Sequence, residues 1–509
     1  MKSPNDLYSN VILQKLFSLK EFLKDAPIIE TTNGRKIGFT DFLLKIDSVA
    51  IGLVERGLKK EDRVLFLAKP SIESIVYIFA VIRAGGILVL ADPAMGKDNF
   101  ISRVNFAKPG HVLIDPVLNT IIKIPCINSI AEIFNISIPD INTLKVLNKL
   151  LIKKNEPKKS NFNEIHIGDE KDSVIIFTSG TTGAPKGVVH TYGSLFEILK
   201  KIEEILKIQP TDIFYSSQLH FLLASILSGA RVILPSNLDF DTGKFYKDIL
   251  KYKINKTFGI PAEYIKIIEF CTKYNICLPS TLETIILGSA PVLKGFLSKL
   301  NTVIAKNTKV ICIYGATEIL PIAYVELQDK ISSKLNGDLL GTMARGVNVK
   351  IIDNEICVSG ESLFKRYLGL DDVKEHHTGD LGVIEGGKLI LLGRKKDMII
   401  RKNHNIYPSI FESTISNIQG IKSCAMVGIY NNELEDEKIY LAVEKENTLQ
   451  ESDEVFKKRI YNELNKGEHS IDKTALPDQI IVMEMPLSGR TQKIDKSKIK
   501  SHIINNHLC

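Results

Sequence analysis

The chain has no Cys-x-x-Cys pair, no internal repeat and no apolar run long enough to span a membrane. Its seven cysteines, at 126, 271, 277, 312, 357, 424 and 509, are scattered, and several lie inside apolar runs such as Val310-Ile311-Cys312-Ile313. They read as reduced core residues of a cytoplasmic protein. The longest apolar stretches, 75–91 and 219–235, are interrupted by Arg83 and Arg231. The N-terminus, Met1-Lys2-Ser3-Pro4-Asn5-Asp6, lacks the apolar segment of a signal peptide, so neither a leader nor a transmembrane helix is expected. Neither sign of charge dominates. The 66 basic and 59 acidic residues leave +7, which suits anionic small molecules and does not call for nucleic acid.

What is present is a globular composition, 44% hydrophobic and 25% charged over 509 residues, enough for several cores. The one low-complexity piece, Lys153-Lys154-Asn155-Glu156-Pro157-Lys158-Lys159, reads as a solvated connector between two subdomains. Before it, a helical pattern over 40–56 alternates with strand-like runs at 63–67 and 87–90, which argues for α/β units on a parallel sheet. After it, 173–177, 284–287 and 309–313 read as buried strands, each ending in a small or polar loop, where open α/β sheets bind ligands. From about Gly337 the pattern changes to short strands with turns, at 349–353, 356–358 and 388–392. A final segment after Lys396 mixes helices and strands.

The densest cluster of polar chemistry is Thr178-Ser179-Gly180-Thr181-Thr182-Gly183-Ala184-Pro185-Lys186-Gly187, directly after the first of those strands. Glycines let backbone N–H groups approach an anion, hydroxyls add donors and a lysine adds charge, which together make a nest for a polyphosphate. A Walker loop is excluded by spacing: Pro185 stands where its second glycine should be, and Gly187 follows the lysine in place of Ser or Thr. The plainer alternative is a polar surface turn.

This loop is followed in order by Tyr314-Gly315-Ala316-Thr317-Glu318, by His377-Thr378-Gly379-Asp380 and by Gly393-Arg394-Lys395-Lys396-Asp397. At those intervals the set resembles the adenylate-forming superfamily of acyl-CoA synthetases, luciferases and peptide-synthetase adenylation domains, over about residues 52–495. The resemblance implies activation of a carboxylate with ATP as acyl-AMP, release of pyrophosphate, and transfer of the acyl group to a thiol. The implied fold class is α/β: a large N-terminal domain (1–395) of α/β-layered subdomains plus a β-rich subdomain, then a small mobile α+β C-terminal domain (396–509).

The resemblance also implies roles, and residue chemistry is compatible with each. Thr178, Ser179, Gly180, Thr181, Thr182, Gly183 and Lys186 would hold the β- and γ-phosphates. Glu318 would bind Mg²⁺, and the Thr317 hydroxyl would meet the α-phosphate. Tyr314 with Gly315 on one side, and Gly288, Ser289 and Ala290 on the other, would enclose adenine. Asp380 would accept the ribose hydroxyls, with Arg394 assisting. Lys493, in Pro486-Leu487-Ser488-Gly489-Arg490-Thr491-Gln492-Lys493-Ile494-Asp495, would stabilise the transition state at the α-phosphate. Lys396 falls on the family's hinge. Plainer readings stand beside these: a turn carboxylate for Glu318 or Asp380, a core ring for Tyr314, a solvated charge for Lys493.

Three departures concern the second step. Asn403 stands where thioester-forming members carry a glycine near the thiol channel, and Gln492 replaces the glycine before the catalytic lysine. The acyl-pocket segment is shortened, with eight residues between His220 and Gly229. His220 reads either as a pocket residue or as a satisfied core histidine. Together with Ala91-Asp92-Pro93-Ala94-Met95-Gly96 and Ile319-Leu320-Pro321, these resemble a branch of fatty-acid ligases and of β-lactone synthetases of bacterial olefin pathways. A missing thiol site would suit the latter, but acyl-CoA ligases are the commonest outcome in the family, so fatty-acyl-CoA formation, with ATP, Mg²⁺ and CoA, is the expected activity. The alternatives are acyl-AMP formation without CoA, as in a β-lactone synthetase acting on β-hydroxy acids, transfer to a carrier-protein thiol, and a non-catalytic nucleotide- or acyl-binding protein.

Overall fold

The computed structural model describes residues 10–93, 96–115, 127, 132–135, 167–177, 185–236, 239–402, 404–447, 449–488 and 492–506. Among them, two large sheets carry the chain as far as Arg394. The first has thirteen strands and changes character midway. One half, Pro27–Thr31, Arg231–Leu234, Ile213–Tyr215, Lys256–Gly259, Thr284–Leu287 and Lys309–Ala316, is parallel. The other, from Ile319–Glu326 through Asp338–Met343, Lys388–Arg394, His376–Glu385 and Glu355–Gly360 to Val347–Ile352, is antiparallel. Burial explains the difference. Thr284–Leu287 is buried at every residue, as a strand covered on both faces must be, whereas Val347–Ile352 largely alternates with solvent.

The second sheet has seven strands. Five are parallel, Ile87–Leu90 and Asp172–Phe177 among them, and Gly187–Thr191 and Arg366–Tyr367 close its edge antiparallel. The apolar stretch at 75–91 is a helix and a strand of this layer. Helix Ile72–Ala84 is buried at all positions except Glu73 and stops at Gly85, whose φ of 78° suits a residue without Cβ. Arg83, which interrupts the stretch, is 5% exposed and pairs with Asp47 at 3.2 Å. Arg231 likewise pairs with Glu30 on the neighbouring strand. Among the described residues no helix is long and apolar enough to cross a membrane.

After Arg394 the chain makes one 3-10 turn, Lys395–Asp397, and enters a region with its own cores. There Ile421–Asn431, Asp436–Lys445 and Gln479–Val482 form a mixed sheet flanked by helices Pro408–Ile415, Asp453–Lys466 and Lys496–Asn505. This is a small α+β unit beside a large α/β one. Helix Lys294–Asn301 of the large unit docks on it: Lys299 Nζ donates to the Ile421 carbonyl at 2.6 Å, and the Gly295 N–H donates to Ser416 Oγ at 3.3 Å.

The predicted strands are present, with two differences near the site. The strand expected to end at Ile313 runs to Ala316, and Gly187, read as the end of the phosphate loop, opens a strand. Of the cysteines, 271, 312, 357 and 424 are buried as expected, but Cys277 is exposed, and 126 and 509 lie outside the described residues.

Candidate functional site

The site lies where the two sheets meet. In the first, Ala316 pairs with Ile319, so Thr317 and Glu318 form the tip of a hairpin and do not lie on a separate loop. Gly315 suits this tight turn: a Cβ would come within 2.5 Å of Leu320 Cδ1 and 3.2 Å of the Ile319 carbonyl oxygen, so the Leu320 side chain would have to move, and the register shifts between Tyr314 and Ala316. On the neighbouring parallel strand Leu287 pairs with Cys312, which lays Gly288, Ser289 and Ala290 beside the approach to Tyr314. A Cβ on Gly288 would lie 3.1 Å from the Ile313 carbonyl oxygen, and Ser289 has φ 65°.

Tyr314, Asp380 and Arg394 converge. The Tyr314 hydroxyl donates to Asp380 Oδ2 at 2.7 Å, and Arg394 Nε donates to Oδ1 at 2.6 Å. Asp380 and Arg394 face each other across paired strands, so backbone register sets their meeting. The Thr378 hydroxyl accepts the Asp380 N–H at 3.0 Å. Burial, reinforced by the Asp380 charge, raises the Tyr314 pKa well above its usual value. At Arg394, burial works against the charge but Asp380 outweighs it, and the net shift is upward. A carboxylate offers about four lone-pair positions, so two remain on Asp380 for hydroxyls of a ligand.

Lys493 reaches the same crevice from the C-terminal unit, on a short hairpin where Ser488 pairs with Lys493. Its pKa is lowered, first by desolvation, then by the positive charges of Arg394 and Lys396, against the pull of Asp380. The residue as a whole is nonetheless exposed, so the direction of this shift rests on the neighbouring charges as much as on desolvation. Gln492, immediately before it, has φ 46°, a left-handed conformation that a glycine adopts more readily. Lys396 sits in the turn between the two units.

Glu318 has its own shell. The Tyr367 hydroxyl donates to Glu318 Oε1 at 2.8 Å, and the exposed Lys186 ammonium lies 5.6 Å from the centre of the Tyr367 ring. Burial and then the Glu318 charge raise the Tyr367 pKa. The other phosphate-loop residues named from the sequence, Thr178 to Gly183, lie outside the described residues, as does Asn403. Phe177 and Gly187 nonetheless pair across the base of that loop, whose ends are therefore fixed.

Sequence reading missed His190, Tyr367 and His376. Fully buried His190, on the strand after the phosphate loop, links the sheets: its Nε2 is 2.8 Å from the Thr317 carbonyl oxygen and its Nδ1 is 3.1 Å from Ser194 Oγ. A carbonyl only accepts, so Nε2 carries the proton and Nδ1 accepts from the serine. His376 packs its ring 5.5 Å from that of Phe364, whose N–H donates to the Glu318 carbonyl at 2.7 Å.

Burial lowers the His190 pKa, with the Thr317 carbonyl and Glu318 opposing. Protonating it therefore costs folded stability. That stability is intact above the usual value of 6.5 and is lost as pH falls from there through the lower folded-state value. His190→Ala is expected to destabilise by about 2–4 kcal/mol, from a cavity and an unpaired carbonyl, and to flatten this acid limb. Urea unfolding between pH 5 and 8 checks both.

His220 occupies the first turn of helix Leu219–Leu227, with ring centroids 4.5 Å from Phe221 and 6.2 Å from Phe258. Among the described residues no hydrogen bond to its ring is seen, and the ring is half-buried. Burial pushes its pKa down to about 4, so it is neutral at pH 7 although part of its surface is open. Phe258 also lies 3.5 Å from where a Gly288 Cβ would stand, so this aromatic wall borders the Gly288-Ser289-Ala290 turn.

A 2-succinylbenzoate–CoA ligase of Bacillus cereus is 26% identical over 426 residues, 77% of this chain and 81% of the ligase. An amide bond synthetase from Marinactinospora thermotolerans superposes with TM-score 0.79 at 16% identity, covering 96% of this chain and 99% of that one. O-succinylbenzoate coenzyme A synthetase from Bacillus subtilis, solved with ATP and magnesium, superposes with TM-score 0.75 at 18% identity, covering 96% and 99%. These structures share the fold of a large N-terminal and a small C-terminal domain. The profile of the family described as AMP-binding enzyme matches residues 19–368, and since that span is more than half of the sequence, the chain belongs to this family.

Proposed function

We propose that the protein activates a carboxylic acid with an apolar body, fatty or aryl, as its acyl-adenylate and then passes the acyl group to coenzyme A. The observation that carries this reading is the convergence of Asp380, Arg394, Tyr314 and Lys493 in one crevice, with Tyr314 on the strand that turns at Thr317-Glu318. In this reading Asp380 takes the ribose hydroxyls and the turn Gly288-Ser289-Ala290 lies along adenine. Thr178, Ser179, Gly180, Thr181, Thr182, Gly183 and Lys186 hold the terminal phosphates, and Thr317 meets the α-phosphate. The Glu318 carboxylate suits a hard divalent cation, and Mg²⁺ held there would neutralise phosphate charge. The substrate carboxylate attacks the α-phosphorus in line; the new acyl O–P bond forms as the bond to pyrophosphate breaks. Lys493 stabilises the charge that develops, and no covalent enzyme intermediate is needed. The thiol then attacks the acyl carbon and AMP leaves.

The CoA ligase among the relatives supports thiol transfer, and the aromatic wall at His220, Phe221 and Phe258 supports an apolar acyl group. The turn at Lys396 would serve as the hinge between a large domain (1–395) and a small one (396–509). One assay tests the reading: incubate the protein with ATP, Mg²⁺ and panels of fatty, 3-hydroxy fatty and aryl acids, with and without CoA, and identify products by mass spectrometry. Acyl-CoA that forms only with CoA is expected. Acid-dependent pyrophosphate release with an acyl-AMP or a dehydrated product regardless of CoA would refute the acceptor. No acid-dependent pyrophosphate release from any panel would refute the enzyme.

A further inference from the structure

Four side chains that this reaction leaves unused meet on one face of the paired strands Glu355–Gly360 and His376–Glu385. Strand alternation puts Glu355 and Cys357 on the same side, and Cys357 pairs directly with His377 across the antiparallel register. Glu375, two residues before His377, shares that side. Cys357 Sγ lies 3.3 Å from His377 Nδ1, and with a Glu375 carboxylate oxygen the donor atoms all lie within 4.8 Å of one another. Glu355 Oε2 is a further 3.8 Å from His377 Nδ1, while its Oε1 accepts the Gly379 N–H at 2.9 Å.

This is a poor group for a core and a good one for a metal. Packing would be served by an apolar residue opposite Cys357; here a thiol, an imidazole and a carboxylate converge at the rim of the sheet. In a tetrahedral zinc site, bonds of about 2.3 Å to sulfur and 2.0–2.2 Å to nitrogen and oxygen place the donors roughly 3.3–3.6 Å apart. The sulfur and nitrogen already stand at that spacing, and the carboxylate needs a shift of about one ångström. One obstacle is slight. Lys350 holds Glu375 Oε2 at 3.0 Å, but that ammonium is 65% exposed, and such surface pairs contribute about 0–1 kcal/mol.

We propose that Cys357, His377 and Glu375 form a zinc site with three protein ligands and a fourth position open to solvent beside Glu355. Binding replaces the thiol proton, which passes to solvent, by a zinc–sulfur bond; no electron is transferred. The site is separate from the Glu318 carboxylate, and its soft sulfur selects Zn²⁺ over Mg²⁺. It stands independently of the adenylation reading.

The test is a titration of the full-length, reduced, chelator-treated protein with Co²⁺ and then Zn²⁺. One equivalent of Co²⁺ is expected to give thiolate-to-cobalt charge-transfer absorption that one equivalent of Zn²⁺ abolishes. Cys357→Ser should remove the absorption. His377→Gln and Glu375→Gln should weaken zinc binding by more than the roughly 10–100-fold that losing an outer partner costs. Cys277→Ser, at the exposed cysteine, should change nothing. Absence of the band, its survival in Cys357→Ser, or unchanged zinc affinity in His377→Gln would overturn the proposal. Because Cys357 is buried, the two other ligand variants carry the test if Cys357→Ser does not fold.

Discussion

Lys493→Ala is expected to slow acid-dependent pyrophosphate release about 10²–10³-fold while changing the KM for ATP only a few-fold. That is the usual cost of removing one preorganised donor aimed at charge that develops in the transition state, and it falls on kcat because the ground state lacks that charge. Structure supports the choice of this lysine among the several in the tail. Lys493 is the one whose pKa is lowered by desolvation and by the charges of Arg394 and Lys396, with the Asp380 charge opposing, whereas Lys498 pairs with Asp495 at 3.9 Å and Lys496 with Glu412 at 2.7 Å. Lys498→Ala should therefore leave the rate within two-fold. The depressed pKa gives a second readout. Lys493 acts protonated, so the rate should fall on the alkaline side below the ordinary lysine value of 10.5, and that limb should vanish in the alanine variant. Steady-state pyrophosphate assays from pH 6 to 10 measure both. A variant with unaltered pyrophosphate release would remove Lys493 from the reaction.

How much of this was legible in the sequence follows from where each contact is made. The parallel strands stood out because burial on both faces leaves short apolar runs such as Thr284-Ile285-Ile286-Leu287 with polar turns after them. Asp380 and Arg394 were legible as motifs, and their pairing is local, across one hairpin. The hairpin tip at Thr317-Glu318 was not, because Tyr314-Gly315-Ala316 has no alternation to extend the strand; the partner strand and the space for a glycine decide it. Less legible still were contacts between sheets. Tyr367 meets Glu318 from 49 residues away and His190 meets Thr317 from 127, and no periodicity in the chain encodes either. Cys357 reads as a core thiol, and is buried, because its apolar neighbours are adjacent in sequence, but its contact with His377 comes from the opposite strand.

Asp380→Asn tests the other half of the crevice and should act oppositely to Lys493→Ala, on ATP binding more than on kcat. Asp380 is 5% exposed and accepts hydrogen bonds from Tyr314 and Arg394, so it already holds the geometry in which its remaining lone pairs would meet a ribose. Asparagine keeps the shape but places an N–H₂ where an oxygen accepted a donor, so one of the two partners loses its bond and the crevice loses its negative charge. Hydrogen bonds to charged groups contribute about 1.5–3 kcal/mol, which predicts a KM for ATP raised about 10–150-fold with kcat changed less than ten-fold. Folding should also weaken, because Arg394 would keep its charge beside a neutral amide; its partial exposure limits that loss to about 1–2 kcal/mol. ATP titration by calorimetry and urea unfolding, run on the same preparation, separate the two effects. Tyr314→Phe provides the comparison: it removes one donor, leaves the carboxylate charged and paired with Arg394, and should raise the KM for ATP by less than ten-fold. If Asp380→Asn lowers stability while ATP binds as tightly as before, Asp380 organises the strand pair and the ribose is held elsewhere. If both variants weaken ATP equally, the tyrosine hydroxyl and not the carboxylate charge is the group that matters.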